Sequence, residues 1–479
     1  MYDYIVCGAG SSGSTVAGRL AEDPGVTVLL IEAGGDDSRE SIQNPDLWPL
    51  NLGTDAVWNF TTAPSPALGG RSLDYAMGRA LGGGSSVNVA NWVRGHRSDW
   101  DHFAEVTGDP VWGFAAVRAL FERIESGPMR LEAATPRHPL GNAVLDAAQE
   151  AGFPLYPNPN GALMEAERGC APPQKIVQDG RRRSPYRAYV AEPDRPNLTV
   201  LTGTSVRELL FDRDRAVGVC VNAAGPDRDF YAGREIVLSL GAINTPKVLM
   251  LSGIGDPEEL RRHGIPVRRN LPGVGRNLTD HALLPLVWQA TPGGDPAPPG
   301  DVRAACFWQL TAAAGDPPTF MYLNPAPEGD VITFVIGMPM RGTGRVRLAS
   351  TDPDAAPIIE TGFFTDPADI GSALRALDTA RAIGKAPALR PFLSAELLPG
   401  AADAETYVRE NVETYWHQSG TARMGRDEHA VVDSRLRVIG CEGLRVADAS
   451  VLPSVTMANT MAPSVLVGEQ AAAFISATT

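Results

Sequence analysis

YDYIVCGAGSSGSTVAGRLAEDPGVTVLLIEAG, residues Tyr2–Gly34, decides the fold. It opens on a short apolar run and passes through a glycine-rich turn. A helical pattern follows, then a second apolar run that ends in Glu32. Gly8, Gly10 and Gly13 fit G-x-G-x-x-G, with an acid about 20 residues further on, the fingerprint of a dinucleotide-binding strand–turn–helix–strand unit. Gly8 allows the tight turn, Gly10 lets backbone approach a pyrophosphate, and Gly13 lets the helix pack on the strand. The helix N-terminus offers free N–H groups to phosphate. Glu32, followed by Ala33, can accept hydrogen bonds from both ribose hydroxyls. The unit leaves FAD and NAD both open.

The 479 residues suffice for two domains or one large composite one. A formal net charge of −14 argues against nucleic acid or an anionic membrane surface as the main partner. Cys7, Cys170, Cys220, Cys306 and Cys441 are odd in number, scattered and without a CxxC pair, so neither a disulfide framework nor a zinc site is expected. No metal site is expected elsewhere. The first residues already read as a strand and its turn, and no apolar run is long enough to span a bilayer. A cytoplasmic protein without a membrane span is the simplest expectation.

Further along, residues 34–77 read as loop. GRALGGGSSVNVANWVRG (Gly78–Gly95) is a poor helix or strand interior and suits backbone pressed against a flat ligand. Residues 110–150 carry helical periodicity. Residues 151–190 read as a surface excursion, VLTGTSVRELLFDRDRAVGVCVN as a hairpin, and EIVLSLGAINTPKVLMLSGIG as strand, turn and helix. VITFVIGMPMRGTGRVRLAS reads as two adjacent strands and DPADIGSALRALDTARAIG as a helix.

Gly78–Gly95 resembles the first signature of the GMC (glucose–methanol–choline) oxidoreductases, and GAINTPKVLMLSGIG (Gly241–Gly255) resembles the second. PGVGRNLTDH (Pro272–His281), YWHQSGTARMG (Tyr415–Gly425), LRVADASVLPS (Leu444–Ser454) and ANTMAPSVLVGEQAA (Ala458–Ala472) fit the same family, in its order. The C-terminal blocks look similar to those of hydroxymethylfurfural oxidases, aryl-alcohol oxidases and, further off, choline-dehydrogenase-like members. The resemblance implies an α/β fold: a Rossmann-like FAD-binding domain plus a substrate-binding domain with an antiparallel sheet flanked by helices. It places 1–150, 190–285 and 410–479 in the first and 151–189 and 286–409 in the second.

The implied cofactor is FAD. The resemblance puts Gly10, Ser11, Ser12 and Glu32 on its ADP half, and Gly78, Leu81, Gly83, Gly84 and Ser85 along the pyrophosphate and ribityl chain. Asn88, Val89 and Ala90 would face the isoalloxazine edge, and Val206 would clamp adenine through its backbone. Asp448 and Ala449 would approach the ribityl–phosphate region, and Thr460 and Met461 the pyrimidine end. Some members tether FAD through a histidine in the segment matching Ser85–Asn88. Val87 stands there here, so non-covalent FAD is expected.

An alkoxide donates hydride far better than an alcohol, so a base within reach of the substrate hydroxyl is useful, and neutral His suits that task near pH 7. The family's residue in that role matches His417. The matching second partner is Asn459, which cannot be a base but can donate a hydrogen bond to the substrate oxygen. Trp416 reads equally as core packing or as a wall of the substrate pocket. Phe307, Trp308 and Tyr322 lie in the expected substrate domain and could line the pocket, although aromatic residues there are more often core, so none is taken as a site residue. The implied reaction oxidises a primary alcohol to an aldehyde, with proton abstraction by His417 and hydride transfer to flavin N5. The acceptor is oxygen or a quinone-type molecule. The alternatives are a dehydrogenase using a non-oxygen acceptor and a lyase of the hydroxynitrile-lyase type.

Overall fold

The computed structural model describes all residues except 134–137, 224, 292–304, 310–317, 326–329 and 478–479, and gives backbone only for 132–133, 305–309 and 324–325. Two seven-stranded sheets organise it. In the first, Tyr2–Cys7 lies parallel between Val28–Ile31 and Arg228–Leu238. Its runs Ile5–Cys7 and Val28–Ile31 are buried on both faces, which is why they read as continuous apolar stretches rather than alternating ones. Leu198–Leu201 extends the sheet beyond Val28–Ile31. Besides Tyr2–Cys7, Arg228–Leu238 has two further partners: its first residues pair antiparallel with Arg215–Asn222, and its last pair parallel with Leu444–Val446.

Two helices pack together beside this sheet, Ser11–Leu20 from one end of the sequence and Met461–Ser476 from the other. Ser12 Oγ donates to the Ser464 carbonyl at 2.6 Å. Arg19 pairs with Glu469, which also accepts from the Tyr189 hydroxyl at 2.6 Å. The C-terminal helix is buried almost all round, as its mostly apolar composition requires, and its buried Ser464 and Glu469 have the partners just named.

The second sheet is antiparallel and contains Leu393–Leu398, His281–Ala290, Val331–Pro339, Pro318–Pro325, Ala305–Gln309 and Arg168–Ala171, with Glu413–Thr414 added on His281–Ala290. Alternation sorts its faces. Leu284, Leu286, Ile332, Phe334, Ile336 and Met338 share a buried core with Ala373, Leu377, Ala380 and Ile383 of the helix Ala368–Gly384. Each such large side chain contributes roughly 1.5–3 kcal/mol by burial. The intervening Leu283, Thr333 and Val335 face a cavity instead.

Three sequence readings change. Residues 34–77 are not all loop: Val57–Thr61 and Asp74–Gly78 form a hairpin, its alternation hidden by short strands. Residues 151–190 are not a surface excursion, since Lys175, Arg182, Ser184 and Tyr189 are buried. The strands in VITFVIGMPMRGTGRVRLAS part company, Val331–Pro339 joining the large sheet while Arg345–Arg347 pairs with Ile358–Glu360. Among the described residues no helix is long and apolar enough to cross a membrane.

Candidate active site

One cavity of about 570 Å³ reaches from the first glycine turn to the open face of the second sheet. Gly8, Gly10, Ser11 and Ser12 line it, at the N-terminus of Ser11–Leu20, where Gly10 has no side-chain cap to occupy the free N–H groups. Such a terminus suits phosphate. Glu32 and Ala33 line it beside them. Glu32 is buried, and its carboxylate accepts from the Ala9 and Gly34 N–H groups, each at 2.9 Å. Burial raises its pKa, and those N–H groups oppose the rise.

The second glycine loop abuts the first. Gly83 has φ +54, and a Cβ there would lie 2.7 Å from Gly10 Cα. No larger residue allows the two turns to meet. Gly78, Gly83, Gly84, Ser85, Val87, Asn88 and Val89 line the cavity, as do Asp448, Ala449, Thr460 and Met461. Asp448 accepts from Gly241 N–H at 2.9 Å, Thr245 Oγ1 at 2.6 Å and Ser450 N–H at 2.8 Å, tying its own turn to the start of the helix Gly241–Leu251. Gly13, Leu81, Ala90 and Val206 are not among the lining residues. Gly13 sits against the Gly8 carbonyl, Leu81 and Ala90 are buried behind the loop, and Val206 packs half-buried against the first core.

His417, Asn459, Tyr322, Tyr415 and Trp416 also line the cavity. Tyr322 Oη donates to Asn459 Oδ1 at 2.5 Å. This turns Asn459 Nδ2 toward His417 Nε2, 3.1 Å away. His417 Nε2 then accepts, so the ring proton sits on Nδ1, which donates to His281 Nδ1 at 2.9 Å. Burial lowers the His417 pKa to about 3, and lowers His281 well below its ordinary value, helped by the neighbouring His417. Both rings are therefore neutral at pH 7.

The frame around the pair is made by Asp280. Its Oδ1 accepts the backbone N–H of both His281 and His417, each at 2.8 Å, and its Oδ2 accepts from Thr414 Oγ1 at 2.6 Å. One carboxylate thus fixes the spacing of the two histidine-bearing segments. Burial pushes its pKa up to about 6 against those hydrogen bonds. Tyr415 stacks on His417, with centroids 5.1 Å apart, and Phe320 meets His281 edge-on at 4.9 Å. Gly337 makes room for Phe320: a Cβ there would lie 2.2 Å from the ring. Between Tyr415 and His417, Trp416 takes φ +59, a conformation costly for a bulky residue, and meets Trp48 edge-on at 5.9 Å.

Sequence reasoning missed His281, Asp280, Phe320 and Tyr322 as site residues. His281 and Asp280 lay inside the quoted block PGVGRNLTDH, and strand alternation from Leu283 back to His281 was the signal available. Tyr322 reads from sequence as either pocket or core, and the structure puts it on the cavity wall. For Phe307 and Trp308 the side chains lie outside the described residues.

The GMC oxidoreductase family matches this chain over residues 2–283 with its N-terminal part and over 340–468 with its C-terminal part. The chain is 34% identical to an oxygen-dependent choline dehydrogenase of Brucella anthropi, covering 98% of this chain and 94% of that protein. It is 35% identical to an uncharacterised GMC-type oxidoreductase of Mycobacterium bovis, covering 99% of each. Among solved structures, pyridoxine 4-oxidase from Mesorbium loti superposes with a TM-score of 0.92 at 30% identity, covering 99% of both chains. A formate oxidase superposes at 0.91 with 26% identity, covering 100% of this chain and 98% of that one.

Proposed function

We propose, from the premise that this chain belongs to the GMC oxidoreductase family, that it uses FAD to oxidise a primary alcohol to an aldehyde, with His417 as the base. The cavity fits FAD on its own terms. It is continuous, joins a free helix N-terminus to a buried carboxylate, and is bordered by two glycine turns that a side chain would separate. FAD, when bound, supplies the acceptor for the hydride. Gly10, Ser11, Ser12 and Glu32 would hold its ADP half, and Ser85, Asn88, Val89, Thr460 and Met461 the flavin half. Val87 offers no nucleophile, so attachment is non-covalent. The division into a cofactor domain and a substrate domain, at the sequence limits given above, belongs to the same proposal.

The observation that carries the mechanism is the 3.1 Å contact between His417 Nε2 and Asn459 Nδ2. An alcohol hydroxyl entering this contact meets an acceptor and a donor, each freed by the other's departure. The hydroxyl donates to His417 Nε2, while its oxygen accepts from Asn459 Nδ2. His417 takes the proton at Nε2 and keeps its Nδ1–H on His281, so the new charge is shared along the pair. Leu283, Val335 and Tyr322 border this point with largely apolar surface and shield it from water.

The relatives named as oxidases, and the dehydrogenase named as oxygen-dependent, support oxygen as the acceptor. The test is anaerobic mixing of the flavin-loaded protein with aromatic, aliphatic, amino and sugar alcohols. At least one should bleach the flavin, and His417→Ala should slow that bleaching by about 10²–10⁴-fold. Reoxidation by oxygen and by a quinone then names the acceptor. No bleaching with any alcohol, together with cyanide release from a cyanohydrin, would favour a lyase and overturn the reading.

A further inference from the structure

GRRRSPYR, Gly180–Arg187, carries four arginines, and three of them have carboxylate partners: Arg181 with Glu40, Arg183 with Glu192 and Arg187 with Asp37. The fourth, Arg182, is only 2% exposed, and no ion pair holds it among the described residues. All of its hydrogen bonds end on neutral oxygens. Nε donates to the Ile42 carbonyl at 2.7 Å, and Nη1 to the Ser85 carbonyl and to Asn88 Oδ1, each at 2.8 Å. Nη2 donates to the Asn88 carbonyl at 2.5 Å.

A cation removed from water without a counter-charge is costly, and proteins place one only where something offsets the cost. Burial pulls the Arg182 pKa down to about 9, with Asp46 acting the other way, so the group stays charged at neutral pH. The residues it grips, Ser85 and Asn88, line the cavity, and Asp46 lines it too. Asn88 is doubly committed. With Oδ1 and its carbonyl held by Arg182, Oδ1 also accepting from Ala90 N–H at 2.9 Å, its Nδ2 is turned to Met461 Sδ at 3.4 Å. Arg182 is thus a buried cation one residue behind the cavity wall, pinned to the loop that forms that wall, with Asp46 acting on it through space rather than in an ion pair.

We propose that Arg182 is a charge partner of the bound cofactor: it holds the Ser85–Asn88 loop in place and stabilises the negative charge that the flavin takes on when reduced. The inference rests on the FAD reading above, with this loop beside the flavin. In a low-dielectric surround a fixed positive charge favours an anion formed nearby over the neutral form. A clamp alone would not change that preference, so the flavin's redox equilibrium separates the two roles.

The experiment reduces the holoprotein anaerobically with dithionite beside a reference dye and reads both spectra. Dithionite supplies two electrons, and the oxidised ring takes them with one proton to become the anionic reduced form. Arg182→Gln should leave at least tenfold less reduced flavin at the same dye ratio, about 30 mV for a two-electron couple. Arg182→Lys, which keeps the charge, should stay within about threefold of wild type. An Arg182→Gln protein that holds flavin and has the wild-type equilibrium would overturn the proposal. If that variant loses FAD, Arg182→Lys decides: a tenfold shift despite the retained charge also overturns it, and an unchanged equilibrium with weakened FAD binding supports it. A wild-type protein that takes up no FAD would instead sink the cofactor reading, and its missing visible absorbance tells the two failures apart.

Discussion

At the scale of single residues, the site depends on which atom holds which proton. Tyr322 decides this from two bonds away. By donating to Asn459 Oδ1 it fixes the amide, the amide fixes the His417 tautomer, and His417 fixes His281. Tyr322→Phe removes the hydrogen bond that holds Asn459, roughly 1–2 kcal/mol, and lets the amide turn over. The rate of flavin reduction by a saturating alcohol should fall about 5–30-fold, with little change in FAD affinity, as measured by stopped-flow absorbance and fluorescence titration. The pH profile follows from burial. A base must be neutral, and a group is neutral above its pKa. With His417 held near 3 and His281 also low, both are unprotonated throughout the range from pH 5 to 8. A histidine of ordinary pKa 6.5 would lose about thirtyfold of its base form at pH 5. Here kcat/KM should fall less than about threefold between pH 8 and 5. Asp280 protonates within that range, yet its Oδ1 can go on accepting both N–H groups. A thirtyfold acid limb centred near 6.5 would contradict the neutral buried pair.

At the scale of elements, the open face of the second sheet explains both what the sequence revealed and what it hid. The first strand–turn–helix–strand unit is local, its glycines and acid lying within one stretch, so its chemistry can be read directly. His417 and Asn459 are legible only because each sits in a distinctive block. Tyr322 and Phe320 are not, since their meaning depends on which strands pair. The register that sets Phe320 opposite Gly337 and Tyr322 opposite Val335 arises between strands of different blocks, and no local pattern encodes it. Arg182 is hidden for a similar reason. A basic run reads as surface until the fold closes over Arg182 and Arg183. Gly337→Ala tests the sheet-face packing. Its Cβ would meet Phe320, and the resulting overpacking should cost about 1–3 kcal/mol, seen as a lower urea midpoint. Because Phe320 leans on His281, flavin reduction should slow as well. An Ala variant with wild-type stability and rate would show that Phe320 moves aside freely.

At the scale of the whole molecule, two sheets from interleaved segments enclose one long cavity, and the flavin is proposed to bridge them without a covalent bond. Acid precipitation checks this. The flavin should stay in the supernatant with its absorbance intact, whereas yellow colour retained in the protein pellet would refute it. Because a ligand that binds only the folded form stabilises it by about 2.7 kcal/mol at a hundredfold excess over Kd, the apoprotein should also melt earlier than the loaded one.

The pairing of Ser11–Leu20 with Met461–Ser476 has a consequence in time. The helix proposed to hold phosphate leaves the ribosome long before Met461–Ser476, which packs against it. Leu444–Val446, which completes the parallel edge beside Arg228–Leu238, also emerges late. Until Met461–Ser476 emerges, therefore, the early helix waits with an apolar flank uncovered. A chain stopped just short of Met461 keeps the whole dinucleotide fingerprint yet lacks the surface that buries it. The motif that announces the cofactor most clearly is thus one whose burial waits for a segment far along the chain.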